Sequence, residues 1–274
     1  MSAFRVNSNV TAMNANRNLA NNATAFNKSM DRLASGRRIV SAADDAAGLA
    51  IANRLRADIR SFGVAERNVS EASSIIGIAE GASQNIEGIL ERLKELATQA
   101  ASANADGQQA VIDDEFQAMI DEIDRIVDST AYQGVDLIDG TYDGTFQVGP
   151  ENEVHFQLDV DLTDVDLSAE GLGVDLLDLT NQANAQDALD TLDDAIDDVN
   201  SALGELGAYQ NRLDTAADNI RTSIINLQGS ESVIRDVDFA SEMTEYSKGQ
   251  VLQQVGAAML ASANASGQTV LSLL

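Results

Sequence analysis

Side chains able to take part in chemistry are few in this sequence, and almost all of them are carboxylates. The 274 residues include 44 Asp or Glu, a single His and no Cys. The lack of Cys excludes a thiolate nucleophile and a disulfide framework. Because His155 stands alone, a metal site with two histidine ligands is excluded as well.

Three groups of carboxylates have a spacing that could serve chemistry. The pairs Asp44-Asp45 and Asp193-Asp194 could act as acid and base, but neighbouring acids in a helical sequence are more typical of a solvated helix face. A further group resembles calcium ligands but lacks the turn Gly and the bidentate Glu of an EF-hand: Asp159, Asp161, Asp164 and Asp166. His155 falls on the polar side of a predicted strand. We therefore predict no catalytic residue, no metal site and no cofactor, and hence a protein that is not an enzyme.

The distribution of charge is uneven along the chain. The formal net charge is -27, and residues 104–220 alone hold 29 acidic side chains against Arg125 and Arg212. The two flanking segments are nearly neutral. Such a charge repels nucleic acid and anionic membranes, so we expect neither as a partner. The first residues lack the apolar core of a secretory signal. The sequence has no run of eighteen apolar residues, so we predict no membrane span.

Two long apolar stripes repeat at spacings of three and four, the pattern of helices packed in a coiled coil. The first predicts a helix from about Asp58 to Ala100, roughly 60 Å long, and the second covers residues 189–227. A shorter stripe over residues 112–126 predicts a third helix that folds back. The predicted fold class is mainly α, a long antiparallel coiled-coil helical bundle. The first stripe consists of Phe62, Ala65, Val69, Ala72, Ile76, Ala79, Ser83, Ile86, Leu90, Leu93, Ala97 and Ala100.

Three glycines lie inside the first predicted long helix. Gly77, Gly81 and Gly88 each cost about 1 kcal/mol relative to Ala in a helix interior. We interpret them as points where helix backbones approach closely.

A short segment between the predicted helices alternates with a period of two, which predicts strands. The alternation covers residues near 145–162, and Gly149-Pro150-Glu-Asn supplies turn residues between its two halves. We predict a small β-hairpin, the only β structure of the chain.

Both ends of the chain carry apolar stripes that are too thin to form a core alone. The N-terminal stripe runs in two helical phases that change near Arg17, and the C-terminal stripe continues almost to the last residue. We predict that the N- and C-terminal helices pair and pack against other copies. The predicted packing residues are Val6, Val10, Met13, Phe26, Met30, Leu33, Arg37, Arg38, Leu252, Val255, Met259, Val270 and Leu273.

Several segments, in order along the chain, closely resemble those of the bacterial flagellins. The most specific is LASGRRIVSAADDAAGLAIA at residues 33–52. YQGVDLIDG at 132–140, TFQVG at 145–149, LGAYQNRLD at 206–214 and DVDFASEM at 236–243 are similar to further family segments. The ending also matches, at LQQ 252–254, AMLA 258–261 and VLSLL 270–274. The resemblance covers essentially the whole chain.

The resemblance implies a division of labour along the chain. Residues 1–42 and 235–274 would form the inner terminal coiled-coil domain, and 43–234 the rod domain with the hairpin. With only about 25 residues between the hairpin and the second long helix, the chain is expected to be a minimal form without variable outer domains. It would polymerise with itself into the extracellular filament used for swimming, after export without a cleaved Sec signal. The expected partners are the export chaperone, the filament cap and the hook-junction proteins.

Two other functions stay open at this stage. A hook-filament junction protein shares flagellin-like ends, and a secreted helical effector could also contain acidic coiled coils. The resemblance also places Arg92, Leu96 and Glu115 at positions through which flagellins contact an immune receptor of animals, although subunit packing is the simpler role. Arg37 and Arg38 are expected to contact acidic rods of neighbouring subunits. The acidic composition predicts a halophile, because molar salt screens repulsion between copies.

Overall fold

The computed structural model describes residues 8–102 and 107–271, and the surroundings of side chains as far as residue 265. Helices dominate it, so the predicted mainly α class is confirmed. Two short antiparallel ladders lie between the third and fourth helices. The helices are α1 Val10–Ser35, α2 Ala46–Ala100, α3 Gln109–Ser129, α4 Gln182–Arg235 and α5 Phe239–Leu271.

The chain divides into two compact units. Residues 59–225 form one, called here the rod unit, and residues 1–58 with 226–274 form the other, the terminal unit. The helices α2 and α4 each contribute residues to both units. The predicted boundaries at residues 42 and 235 separate an inner domain from a rod domain of the assembled filament. The division of the single chain into two units does not test them, so they stay a prediction.

The core of the rod unit follows the predicted stripe of α2. Of its twelve positions, eleven are buried and Phe62 is half-buried. Even the single polar member fits, because the Ser83 hydroxyl donates a hydrogen bond of 2.8 Å to the Ala79 carbonyl. A buried hydroxyl with a partner avoids the cost of desolvation.

Helices α3 and α4 supply the rest of this core. On α4 the predicted stripe is buried at every second position from Leu192 to Ile220, and alanines one turn away complete it. Polar contacts join α4 to α2, since Gln210 Nε2 donates to Ser73 Oγ at 2.8 Å and Arg221 Nε to Glu66 Oε1 at 2.9 Å. The buried α4 side chains are Ala185, Ala188, Leu192, Ala195, Val199, Ala202, Leu206, Leu213 and Ile220.

The long helix α2 begins earlier than the sequence pattern predicted. It starts at Ala46 rather than near Asp58, so its 55 residues span about 80 Å. Asp45 marks the start, because its Oδ1 accepts a hydrogen bond of 2.9 Å from the Gly48 backbone N–H. Asp44 accepts from the backbone N–H and the hydroxyl of Ser41, and these bonds lower the pKa of Asp44. The pair Asp44-Asp45 therefore serves the turn that opens the helix.

The predicted hairpin is present. Strand β3, Asp143–Gln147, pairs antiparallel with β4, Gln157–Asp161, with Phe146 opposite Leu158. One prediction about it is wrong, since a further ladder precedes it: β1, Ala131–Tyr132, pairs with β2, Val135–Asp136. Gln133 and Gly134 connect these strands with φ of 51° and 85°, the pair of positive angles that a tight hairpin turn requires. The period-two signal missed two-residue strands because they are too short to alternate.

The interpretation of the three helix glycines is also wrong for the described residues. A Cβ added at Gly77, Gly81 or Gly88 would meet no atom within 4 Å. All three lie on the exposed side of α2, so no helix of the same chain requires their small size.

Phe116 provides a test of the rod core. The side chain is fully buried on α3, so we expect Phe116→Ala to lower the free energy of unfolding by about 3–5 kcal/mol. Val111 on the same helix is 71% exposed, and Val111→Ala should change it by no more than about 0.5 kcal/mol. Urea unfolding followed by far-UV circular dichroism measures both, and equal effects would contradict this core.

Candidate self-assembly surface

Helices α1 and α5 of the terminal unit pack antiparallel in a regular register. Asn9 Nδ2 donates a hydrogen bond of 2.8 Å to the Ala263 carbonyl at one end. Two further contacts, seven residues apart on both helices, place Leu19 against Gly256 and Phe26 against Gly249. A Cβ added at Gly256 would lie 3.0 Å from Leu19 Cδ1, and one at Gly249 would lie 3.1 Å from Phe26 Cδ2. Large side chains of α1 therefore fill positions that small residues of α5 leave open.

Further contacts extend this pairing towards the end of α1 and the start of α5. The rings of Phe26 and Tyr246 stack with centroids 4.8 Å apart. Arg32 Nη1 lies 3.8 Å from Glu242 Oε2. Helix α1 ends at Gly36, whose φ of 68° is left-handed and whose backbone N–H donates to the Arg32 carbonyl. The predicted pairing of the N- and C-terminal helices is therefore confirmed.

The predicted packing residues divide between the helix–helix contact and the free surface. Phe26 and Leu33 of α1 are half-buried, whereas Met30 is 46% exposed. The remaining predicted apolar residues whose side chains are described are exposed: Val10, Met13, Leu252, Val255 and Met259. Val6 and Leu273 lie outside the described residues, and Val270 lies in α5 beyond the side chains described.

The sequence pattern missed most of the α5 residues that face α1. The inward side of α5 contains Tyr246, Gly249, Gln253, Gly256, Leu260 and Ala263. Two glycines and one Gln on that side give no apolar periodicity. The detectable signal is a different one, small residues seven apart at 249, 256 and 263.

The terminal unit has almost no core of its own. Among its described residues the buried hydrophobics are Ile39, Ala52 and Ala263, whereas the rod unit buries 39. Nineteen large hydrophobics are exposed among the residues whose side chains are described, and twelve of these belong to the terminal unit. An exposed apolar surface of this kind marks a place where proteins associate.

The predicted arginines Arg37 and Arg38 lie in the segment that follows α1, and they contact the residues at the end of α4 and just after it. Arg37 pairs with Asp236 in a β-bridge, and the Arg38 backbone N–H donates to the Arg235 carbonyl at 2.7 Å. The Arg38 guanidinium donates to the Ile234 carbonyl at 2.6 Å, while the Arg37 side chain is exposed. Arg235 itself is buried, and desolvation, followed by the nearby charges of Arg37 and Arg56, lowers its pKa.

The possible receptor contact lies on the rod unit. Arg92 donates hydrogen bonds of 2.7 Å to Glu115 and 2.8 Å to Glu95, and all three side chains are exposed. Leu96 is only 2% exposed and belongs to the core. Arg92 and Glu115 could therefore contact a partner directly, and this role stays a prediction.

The two units differ sharply in charge. The terminal unit has ten Lys or Arg against nine Asp or Glu, a net charge of +1. The rod unit has seven against 35, a net charge of -28. The apolar surface therefore lies on the unit that carries almost no net charge, which lowers the electrostatic cost of bringing copies together there.

These features define a helical coiled-coil protein whose terminal unit leaves a large apolar surface exposed in the single chain. Comparison with known proteins agrees. The description "Bacterial flagellin N-terminal helical region" matches residues 6–143, and "Bacterial flagellin C-terminal helical region" matches residues 189–274. The chain belongs to the bacterial flagellin family, and it is a structural protein of the flagellar filament.

Individual relatives are similar over nearly their whole length. A flagellin of Halalkalibacterium halodurans is 44% identical over 271 residues, covering 98% of this chain and 99% of the relative. A "Flagellar filament 30.7 kDa core protein" of Treponema maltophilum is 37% identical, with the same coverage. The crystal structure of Bacillus cereus flagellin aligns with a TM-score of 0.50 and 27% identity, covering 56% of this chain and 88% of that one.

The family also explains the size of this chain. The interval 144–188, which neither family description covers, contains all of the β3–β4 hairpin except its first residue, the loop that follows it and the start of α4. The chain is therefore a compact flagellin without variable outer domains. In the part of the chain that the structure describes, no helix is both long and apolar enough to cross a membrane.

The fit between Leu19 and Gly256 leads to a prediction with a built-in rescue. Gly256→Val adds a side chain where Leu19 Cδ1 already lies 3.0 Å from the added Cβ position, and overpacking of this kind costs about 1–3 kcal/mol. We expect the variant to form filaments of reduced thermal stability, measured by light scattering on heating.

A second change provides the control. Leu19→Ala should by itself weaken the pairing, but combined with Gly256→Val it removes the clash and should recover part of the lost stability. If the double variant loses the sum of the two single effects, the contact between these positions is not the one described.

Proposed function

We propose that copies of this chain polymerise into the helical flagellar filament used for swimming, and that the terminal unit provides contacts between copies. One observation carries the proposal: the described terminal unit buries three hydrophobic side chains while it exposes twelve large ones. Two thin helices with this composition gain more by burial between copies than by remaining in water. An open interface that repeats by rotation and translation generates a helical polymer.

In this filament the terminal residues form the inside. By family resemblance, residues 1–42 and 235–274 line the interior and residues 43–234 surround them as the rod. The charges support this placement, because the neutral unit would lie where copies pack most densely and the acidic unit where solvent and ions are available. The exposed Arg37 side chain is then available to acidic rods of neighbouring copies. No catalytic residue or cofactor belongs to the proposal.

The remaining partners follow from the family. The chain would leave the cell through the flagellar export apparatus without a cleaved Sec signal, with a dedicated chaperone, and would assemble beneath a filament cap onto the hook-junction proteins. Nucleic acid and membranes are not among the proposed partners, because a net charge of -27 opposes binding to nucleic acid and to an anionic membrane surface.

Seeded assembly tests the proposed function. Purified chain added to short filament fragments should extend them into long tubes of uniform width, visible by electron microscopy, because each added copy presents a new open interface. A hook-filament junction protein would bind the ends without elongation, and a secreted effector would stay monomeric. Either of these results contradicts the proposal.

Salt provides a separate prediction, on the habitat of the organism. We propose that the filament is adapted to a halophile, because the rod unit of each copy carries -28. Between about 0.1 M and about 1 M salt the Debye length falls from about 10 Å to about 3 Å. Filament stability should therefore rise across this range in a sedimentation assay. Equally stable filaments in dilute buffer and in molar salt would contradict the adaptation.

A variant with reduced charge is the matched control. Asp190, Asp194, Asp197 and Asp198 are exposed on α4, and changing all four to Asn keeps their size while it removes four charges. The salt concentration needed for stable filaments should decrease. An unchanged salt requirement would show that repulsion among these acids does not limit assembly.

A further inference from the structure

The methionines are the side chains of this protein that a mild oxidant can modify. The chain contains no Cys and no Trp, but it contains six Met. With no thiol present, the thioether of Met is the group that a dilute peroxide oxidises, and the product is a sulfoxide. Oxidative modification of this chain is therefore directed to the positions of its methionines.

Most of the methionines lie on the terminal unit, where they are exposed. In the rod unit, Met119 is half-buried on α3 and packs against the core. The first residue of the chain lies outside the described residues. A peroxide in water can reach the other four directly in the single chain. These four, with exposed fractions of 67%, 46%, 49% and 61%, are Met13, Met30, Met243 and Met259.

Three of the exposed methionines belong to apolar patches. Residues three or four positions apart on a helix are neighbours on the same side, and each of the three has a large, exposed hydrophobic residue at such a distance. Met30 differs, because no exposed large hydrophobic among the described residues lies three or four positions from it. Met13, Met243 and Met259 are called here the patch methionines. Their exposed neighbours are Val10 for Met13, Phe239 for Met243 and Val255 for Met259.

Oxidation would reverse the chemical character of these patches. A sulfur lone pair attacks one oxygen of hydrogen peroxide, the O–O bond breaks, and the oxygen stays on sulfur while water is released. Sulfur is oxidised by two electrons and the peroxide is reduced. The thioether is soft and readily buried, whereas the sulfoxide oxygen is an acceptor that loses free energy when it is buried without a donor. The neighbouring Val and Phe side chains offer no donor.

We propose that the patch methionines are sites of reversible oxidation, and that their sulfoxides block addition of the chain to a filament. The inference rests on the proposed function and adds chemical regulation to it. A chain that has not yet assembled is sensitive, because its patches are open to water. A copy inside the filament is protected, because the contact that covers a patch also excludes the oxidant. Reduction restores the thioether, since two thiols of a reductant form a disulfide and the oxygen leaves as water.

Seeded elongation with oxidised chain tests the inference. The free chain is treated with dilute hydrogen peroxide, the peroxide is removed, and sulfoxide formation is verified by mass spectrometry. We expect the chain concentration needed for elongation to rise by about tenfold or more, because each buried oxygen without a donor weakens addition. Methionine sulfoxide reductases with a thiol reductant should return it to the untreated value. Far-UV circular dichroism should be unchanged by the treatment.

The possible failures of this experiment have different meanings. Oxidised chain that elongates seeds at the untreated concentration would overturn the inference and leave the proposed function intact. Loss of helix in the oxidised chain would also overturn it, because the sulfoxides would then act on folding rather than on contact. Failure of the untreated chain to elongate seeds would contradict the proposed function instead.

Leucine variants show which methionines are responsible. Leu has a similar volume and no sulfur, so Met13→Leu/Met243→Leu/Met259→Leu should elongate seeds at the same concentration with and without peroxide treatment. Met30→Leu/Met119→Leu is the matched control, and it should keep the full effect of peroxide. Each variant is compared with its own untreated sample, so a change in its basal assembly does not affect the result. A triple variant as sensitive as the control would overturn the inference.

Oxidation rates in the unmodified chain provide a test that needs no variant. Free chain and filaments receive the same dose of peroxide, and a Met-containing peptide in each sample calibrates the oxidant. Mass spectrometry of peptides then gives the rate at each position. The patch methionines should react at least about tenfold more slowly in filaments, because reactivity follows exposure. Equal rates in the free chain and in filaments would overturn the inference.

Discussion

Everything in this protein depends on the burial of apolar surface by helices that are long and thin. A long helix presents only a stripe of side chains to each neighbour, so it needs partners on more than one side before its apolar residues leave water. The rod unit meets this requirement within one chain, because α2, α3, α4 and the strands share one core. The terminal unit has two helices and buries only Ile39, Ala52 and Ala263 among its described hydrophobics. We propose that this shortage of internal burial drives assembly.

The pairing of α1 with α5 is well defined although it buries little. Leu19 and Phe26 occupy positions that Gly256 and Gly249 leave open, and Asn9 bonds to the Ala263 carbonyl. Such a contact sets the register of the two helices by steric fit. It buries few large apolar residues of α5, because the positions of α5 that meet Leu19 and Phe26 are glycines. The larger residues of α5, Leu252, Val255 and Met259, are thereby left on the outside. A terminal unit built in this way is specific within the chain and still available to other copies.

Charge is distributed in agreement with this division. The terminal unit is almost neutral, and the rod unit carries the whole acidic excess. Within the rod unit many carboxylates already have structural partners: Glu66 pairs with Arg221, Glu115 with Arg92 and Asp193 with Lys94. These exposed pairs contribute little stability individually. Most of the other acids are stabilised by contact with water. Their charge opposes non-specific association between the rod units of different copies.

The sequence by itself determined the helices, the core of the rod and the family. A spacing of three and four over forty residues leaves one possible buried side, and the positions from Ala65 to Ala100 on α2 are buried as predicted. Local patterns could not locate the start of α2, since residues 46–58 lack that stripe, or the strands β1 and β2, which are too short to show a period. Gly77, Gly81 and Gly88 were misinterpreted because a glycine has the same sequence signal whether it faces a neighbour or open space.

Only the tertiary structure decided which side of each terminal helix faces its partner. Periodicity detects large apolar residues, and on α1 and α5 many of these lie on the free surface, whereas part of the internal contact consists of glycine and alanine. A Gly that accepts Leu19 contributes nothing to a hydrophobic pattern, yet it determines where that side chain can lie. Steric fit between the two helices determines which side of each one faces the other. That fit involves residues more than two hundred positions apart in the sequence.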